Sequence, residues 1–152
     1  MTSQTKPRGI RNNNPLNIRR SGSKWKGLSK QQTDKAFCQF DEMKYGWRAA
    51  FYLLCYTYWK VWGCNTIRAI ISRWAPDNEN NTESYIKRVC ELTGLAPSEP
   101  IGDPTQHADN WLKLGWAMAI VENGLEACKH LDGLDEHESF KLAIASCYPE
   151  GR

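Results

Sequence analysis

Glu122 is the residue of this chain best placed to act as a general acid. It is the only ionisable side chain between Lys113 and Glu126, and it closes an apolar run typical of a helix. A carboxyl group held against apolar surface is harder to ionise, so its pKa rises and it can carry a proton near neutral pH. Helical spacing places Trp111 and Met118 on the same stripe as the acid, which predicts that this stripe forms a cleft wall.

A structural interpretation of the same pattern stays open. Asn123 and Gly124 form a common helix stop, and a glutamate in the last turn of a surface helix is often only solvated. The sequence alone does not decide between an acid in a cleft and an acid in water.

The length and composition of the chain indicate one domain. Its 152 residues are 41% hydrophobic, which is enough for one core and too little for two comfortable ones. We expect a flexible tail over residues 1–8 and a single domain over residues 9–152.

Targeting signals are absent from the sequence pattern. No segment near the N-terminus has the order of a signal peptide, and the best apolar run, from Ala49 to Trp59, is too short to span a bilayer. We therefore expect a soluble protein, made in the cytoplasm without membrane insertion. If it acts outside the membrane, something other than a general secretion signal must carry it there, such as a dedicated export system.

The first 33 residues are strongly basic and contain no acid. Against an overall net charge of +3, they hold Lys6, Arg8, Arg11, Arg19, Arg20, Lys24, Lys26 and Lys30. Such a segment fits an anionic polymer, either nucleic acid or a bacterial wall with its carboxylates. The alternative is a solvated basic face without a specific partner.

The cysteines do not have the spacing of a metal site. Cys38, Cys55, Cys64, Cys90, Cys128 and Cys147 are spread along the chain without a C-x-x-C pair. Most lie in apolar stretches, which indicates buried thiols of a chain that folds in a reducing compartment. Their even number leaves disulfides possible.

The chain is predicted to be mainly α-helical. Apolar spacing and stop signals predict helices over residues 45–62, 67–74, 83–93, 109–123 and 137–146. Thr66 and Thr82 are the expected N-caps of the second and third, and Gly94 is the expected stop of the third. Residues 9–41, rich in Asn, Gly and Ser, predict a small irregular β-hairpin. The tryptophans expected in the core are Trp47, Trp59, Trp62, Trp74 and Trp116.

Several segments resemble parts of lysozyme-like enzymes. YGWRAAFYLL (residues 45–54), NTIRAIISRWAP (65–76) and ENNTESYIKRV (79–89) are similar in order and spacing to the second half of lytic transglycosylases. AMAIVENG (117–124) resembles the helix that supplies their catalytic acid, and GIRNNNPLNIR (9–19) resembles the Asn-rich turn of cell-wall N-acetylglucosaminidases. Because the acid here follows the Tyr-bearing segment, the resemblance implies a lysozyme-like domain in circularly permuted order, as in phage virion-associated peptidoglycan hydrolases.

The resemblance also implies roles for particular residues. Glu122 would be the catalytic acid and base, Tyr85 a positioning group, and Glu79 a second carboxylate if hydrolysis needs one. Asn13, Asn14 and Asn80 would contact sugar, Gln39 would lie beside the acid, and Trp25 is placed to stack on a sugar ring. Each also has a structural alternative, since Tyr85 suits a core edge, the asparagines suit turns, and Glu79 suits a solvated loop.

The expected function is cleavage of the peptidoglycan glycan strand, as a muramidase or a lytic transglycosylase. One carboxyl can serve as acid and then as base, and no metal ion or organic cofactor is implied. The rival expectation is a non-catalytic basic or virion structural protein that contacts nucleic acid or cell-wall polymer. The sequence leaves open which bond is cut, whether the product is an anhydro sugar, and the oligomeric state.

Overall fold

The computed structural model of the protein describes residues 6–78 and 81–147. The described chain is mainly helical, as the sequence predicts. Its helices are α1 (Arg8–Arg11), α2 (Met43–Tyr52), a π-helical segment (Leu53–Val61), α3 (Ile67–Trp74), α4 (Thr82–Thr93), α5 (Ala108–Asn123), α6 (Leu125–Cys128) and α7 (Gly133–Cys147). Within these residues, we find no helix with both the length and the apolar character needed to cross a membrane.

The ends of α3 and α4 follow from local capping. The Thr66 side chain accepts a hydrogen bond from the backbone N–H of Ala69, so Thr66 caps α3 as predicted. The cap of α4 is Asn81, which accepts from Ser84 N–H, rather than the predicted Thr82. The Thr82 hydroxyl instead donates to a carbonyl at the end of α3. Gly94 ends α4 with φ of 77°, as a left-handed C-terminal cap requires.

Aromatic packing joins α2, α5 and α7 into the core. Trp47 stacks on Trp116 with ring centroids 5.8 Å apart, and Phe51 meets Phe140 edge to face at 5.1 Å. A Cβ at Gly115 would lie 2.7 Å from the Phe51 ring. A glycine there leaves room for the Phe51 ring against α5.

The stripe of α5 that was predicted to line a cleft lies in the core instead. Trp111 and Met118 are fully buried, and the Trp111 indole N–H donates to the carbonyl of Gly102 at 2.8 Å. This burial arises because α4 and α7 both pack against α5. The cleft-wall interpretation is therefore wrong for these two side chains, and Glu122 is the member of the stripe that leaves the core.

The tryptophans predicted to be core residues divide into three groups. Trp47 is fully buried, Trp59, Trp74 and Trp116 are half-buried against the core, and Trp62 is 46% exposed. Trp62 follows the last residue of the π-helical segment, where the chain turns at Gly63. The core prediction is wrong for Trp62 because its ring remains at the surface of this turn.

The predicted β-hairpin is absent from the described N-terminal segment. Residues 9–41 contain only two isolated antiparallel bridges, Arg19 with Phe37 and Leu28 with Phe40. The Cys38 N–H donates directly to the Ile18 carbonyl at 2.9 Å, but no regular ladder continues from the bridges. The Asn14 amide adds side-chain bonds to the same two residues. It donates to the carbonyl of Ile18 at 3.0 Å and to that of Cys38 at 2.9 Å.

Arg8, the last residue of the expected flexible tail, lies in a helix. Arg8 begins α1 and forms an ion pair with Asp34 at 2.6 Å, so it is tied to the folded segment. The prediction of a loose chain is therefore wrong at Arg8, while residues 1–5 lie outside the described part of the chain.

The cysteines are free thiols. Five are buried and Cys90 is partly exposed, which agrees with the prediction of buried thiols. The possibility of disulfides that the even number left open is not realised in this fold.

Candidate active site

The Glu122 carboxyl group lies at a meeting point of three parts of the fold. Its Oε1 accepts a hydrogen bond from the Asn17 amide at 2.8 Å, and its Oε2 accepts from the Tyr85 hydroxyl at 2.9 Å. The Trp74 indole lies close enough to this carboxyl to lower its pKa. The loop after α1, the end of α3 and the first turns of α4 thus converge on the last turn of α5.

Opposing effects set the pKa of Glu122, and burial is the largest. Burial raises this pKa above the ordinary value, whereas hydrogen bonds from Asn17 and Tyr85, the nearby Trp74 indole and the charge of Arg19 lower it. The net direction is upward. A half-buried glutamate with a raised pKa is suited to holding a proton that it can later release.

Tyr85 is held beside the acid as a hydrogen-bond donor. Its side chain is buried, and burial together with the neighbouring Glu122 raises its pKa well above the ordinary value. The hydroxyl therefore stays protonated over the whole range in which Glu122 titrates. The structure brings together these two residues, which the sequence motifs had singled out.

Asn17 lies in the loop after α1, here called the Asn-rich loop, and is the residue of this loop that reaches Glu122. Its backbone is left-handed, with φ of 53°, a conformation that asparagine tolerates better than most residues. The loop is fixed by Asn123, whose buried amide donates to the carbonyl of Pro15 at 2.8 Å. A Cβ at Gly9 would lie 2.5 Å from Asn123 Oδ1, so α1 packs tightly against this joint.

Sequence reasoning missed the roles of Asn17, Trp74 and Asn123. Asn17 belongs to the GIRNNNPLNIR segment that was singled out, but it follows the three consecutive asparagines that drew attention. Trp74 was interpreted as a core residue and Asn123 as a helix stop. The available signal was that all three residues lie within segments of the resemblance.

A groove of about 390 Å³ opens next to the acid. Asn17 and Trp74 line it, and so do Trp25, Leu53, Arg19 and Arg73. Glu122 is not part of the lining itself, but it accepts a hydrogen bond from Asn17, which is part of it. A bound molecule would approach the carboxyl through the edge formed by Asn17 and Trp74.

Trp25 lies in this groove as an aromatic wall. Its ring meets that of Tyr52 edge to face at 5.8 Å, which holds the indole in place. The Trp25 indole nitrogen is buried without a hydrogen-bond partner. Stacking of Trp25 on a sugar ring stays a prediction.

The structure gives Asn14 a structural role in place of the predicted sugar contact. Asn14 is fully buried, and its amide bonds the carbonyls of Ile18 and Cys38 and the N–H of Ile18. No part of the side chain remains to contact a ligand. The amide of Asn13, by contrast, is partly exposed and donates to the carbonyl of Phe40, so its sugar contact stays a prediction.

The Gln39 side chain organises a turn. Its Oε1 accepts from the N–H groups of Thr33 and Asp34, and its Nε2 donates to the Asn12 side chain. Gln39 is partly exposed, and its contact with substrate stays a prediction. Glu79 and Asn80, the other predicted site residues, lie outside the described residues.

The described residues do not contain a cluster of metal ligands. In residues 6–78 and 81–147, no three His, Cys, Asp or Glu side chains stand close enough together to hold an ion.

Comparisons with known proteins place the chain near a phage protein. No known family model matches the chain. Over 120 residues, which are 77% of this chain and 71% of the relative, it is 39% identical to "Protein P5" of Pseudoalteromonas phage PM2.

Proposed function

This chain belongs to the family of Protein P5 of Pseudoalteromonas phage PM2, and we propose that it is a lysozyme-like enzyme that cleaves the glycan strands of bacterial peptidoglycan. The observation that carries the proposal is the Glu122 carboxyl group. It is half-buried, has a raised pKa, and is held by Tyr85 and Asn17 beside a groove with aromatic walls.

The proposed reaction needs a single protein carboxyl. Protonated Glu122 gives its proton to the glycosidic oxygen as the bond from that oxygen to the sugar C1 breaks. The resulting carboxylate then accepts a proton from the nucleophile that bonds to C1. If the nucleophile is water the product is a reducing sugar, and if it is the 6-hydroxyl of the same sugar the product is an anhydro sugar.

The hydrogen bonds around Glu122 support this two-stage use of one group. Burial favours the protonated form that must start the reaction. Tyr85 and Asn17 donate to the carboxylate that forms after proton transfer and stabilise it. The negative charge that forms on Glu122 is therefore stabilised by hydrogen-bond donors that are already in place.

The groove has the character expected of a carbohydrate site. The indole rings of Trp25 and Trp74 line it, and flat aromatic rings pack well against the apolar faces of sugars. Two arginines in the lining suit a substrate with negative charges, such as peptidoglycan.

The test is release of soluble fragments from purified sacculi by the wild type and by Glu122→Gln. We expect fragments from the wild type and at least a thousandfold slower release from the variant, since glutamine keeps the shape but does not transfer the proton; this is a rough expectation for loss of the only acid. Mass analysis of the fragments separates reducing ends from anhydro ends.

Glu126→Gln is the matched control. Glu126 lies in the short α6, one turn beyond the acid, where it is exposed and paired with Lys129 at 2.9 Å. It should retain wild-type activity. Equal activity in wild type and Glu122→Gln would move the chemistry away from Glu122, with Glu79 next to test, and silence of both would reject the enzymatic proposal.

The rival proposal is a non-catalytic protein that binds an anionic polymer. Lys24, Lys26 and Lys30 are exposed, which favours it, whereas Arg8 is already paired with Asp34 within the fold. Binding of this kind should weaken steeply with salt, because it is driven by released counterions. Salt-sensitive DNA binding that is lost on replacing the three lysines by glutamine, without any glycan cleavage, would favour the rival.

A further inference from the structure

An exposed arginine is held on an exposed tryptophan at one end of the groove. The Arg73 guanidinium carbon lies 4.4 Å from the centroid of the Trp62 ring, and both residues line the groove. Trp62 is 46% exposed, an unusual state for so large an aromatic side chain. The pair therefore presents a flat apolar face and a cation to the same space.

A row of rings connects this pair to the acid. Trp62 packs on Tyr58 with centroids 4.8 Å apart, and Tyr58 packs on Trp74 at 5.7 Å. Trp74 lies close enough to Glu122 to lower the pKa of its carboxyl. The Arg73 cation and the acid therefore lie at opposite ends of one row of aromatic rings.

The side chain of Arg73 is exposed at the groove. Among the acids of residues 6–78 and 81–147, none forms an ion pair with it. The other arginine of the groove, Arg19, adds positive charge to the same wall and acts on the Glu122 carboxyl electrostatically. A neutral polysaccharide would use neither charge, whereas an anionic one would use both.

We propose that Arg73, held on the face of Trp62, binds the carboxylates that peptidoglycan carries along its glycan, and so selects anionic over neutral glycan; this rests on the proposed function. The planar guanidinium can donate two parallel hydrogen bonds to a carboxylate. Stacking on Trp62 orders the guanidinium in advance, which reduces the entropy lost on binding. The carboxylate comes either from the lactyl group of the sugar or from the stem peptide attached to it.

Binding to soluble glycans tests this inference without requiring turnover. The Glu122→Gln protein is mixed with three ligands of equal length: peptide-bearing glycan, the same glycan after amidase removal of its peptides, and a chito-oligosaccharide. Adding Arg73→Gln should weaken binding of an anionic glycan by about tenfold, the usual effect of a lost hydrogen bond to a charged group. Binding of the neutral oligosaccharide should change less than about twofold.

The two anionic ligands identify the source of the carboxylate. A loss confined to peptide-bearing glycan assigns it to the stem peptide, and a loss retained after amidase treatment assigns it to the lactyl group. Arg88→Gln is the matched control, because Arg88 is an exposed arginine on α4 that does not line the groove. It should bind all three ligands as the parent protein does.

The outcomes separate this inference from the proposed function. Equal weakening for neutral and anionic glycans, or no binding of any glycan, would overturn the role of Arg73. If sacculi are not cleaved but anionic glycan still binds in an Arg73-dependent manner, the enzymatic proposal fails and the anion site stands. Arg73→Gln and Arg88→Gln both replace exposed side chains, so circular dichroism should confirm an unchanged fold.

Discussion

The proton on Glu122 depends on a balance between burial and the donors around it. Burial raises the pKa of this carboxyl, and each donor that faces it lowers the pKa by stabilising the ionised form. The alkaline limb of an activity profile reports this pKa, because the reaction needs the protonated acid. Changing a single donor should therefore move that limb in a direction that the contacts define.

Removing the Tyr85 hydroxyl should shift the alkaline limb to higher pH. Tyr85→Phe keeps the buried ring but loses the donor 2.9 Å from Glu122 Oε2, so the carboxylate is less stable and the pKa rises further. We also expect about tenfold lower activity at the optimum, because the positioned donor is lost. The measurement is the rate of fragment release as a function of pH. A limb that moves to lower pH would contradict the assignment.

The Asn-rich loop offers a pair of matched substitutions for the same question. Asn17 and Asn13 both have left-handed backbones, with φ of 53° and 54°, so glycine is accepted at either position without strain. Asn17→Gly removes a donor to Glu122 and should move the alkaline limb to higher pH. Asn13→Gly removes a bond to the carbonyl of Phe40 and should leave the limb in place. Equal shifts in both variants would show that loop stability, rather than the hydrogen bond, sets the pKa.

At the scale of elements, α3 carries two residues of the groove and depends on its N-terminal cap. The Thr66 hydroxyl satisfies the N–H of Ala69 at 3.1 Å. Thr66→Ala should lower the free energy of unfolding by about 1 kcal/mol, as measured by urea denaturation. Thr66→Ser keeps the hydroxyl and should lose much less. An equal loss in both variants would point to the methyl group and its packing instead of the cap.

Local sequence signals predicted the ends of those helices that are capped or stopped by adjacent residues. Thr66 before α3 and Ala75-Pro76 after it give both ends of that helix, and Gly94 gives the end of α4. The start of α4 was misassigned by one residue because Asn81 and Thr82 are both good caps. Only the contact of Thr82 with the end of α3 decides between them, and that contact is tertiary.

The residues of the candidate site were also predictable only where the local sequence singles them out. The apolar run before Glu122 and the motif around Tyr85 were enough to single out these two residues. The sequence could not show that Asn14 is consumed by backbone carbonyls while Asn17 reaches the acid, because this depends on the path of the loop. The burial of Trp111 and Met118 likewise depends on the packing of α5 against α4 and α7.

At the scale of the whole molecule, Glu136 makes stability depend on pH. This residue of α7 is 4% exposed, and its Oε2 has no hydrogen-bond partner. Burial raises its pKa to about 8. The folded protein therefore retains a proton that the unfolded chain releases near the ordinary pKa, so the free energy of unfolding falls as pH rises between these values and the loss is complete above about 8.

Glu136→Gln should flatten this dependence. One such group changes stability by at most about 1.4 kcal/mol per pH unit within its window. We expect the variant to unfold at higher urea than the wild type at pH 8 to 9, and to differ less near pH 5. Glu138→Gln, an exposed neighbour 3.8 Å from Lys141, should keep the wild-type slope. An unchanged slope in Glu136→Gln would show that another group causes the loss.

The burial of the thiols has a consequence for how this protein withstands oxidation. Burial raises the pKa of Cys38 and Cys55, and brings that of Cys128 and of Cys147 to about 11, so few thiolates form in the folded state. Oxidants and alkylating reagents attack the thiolate. The folded chain therefore shields its sulfur atoms by packing instead of by cross-linking. The rate at which these thiols are modified should therefore report how often the folded chain opens and exposes them.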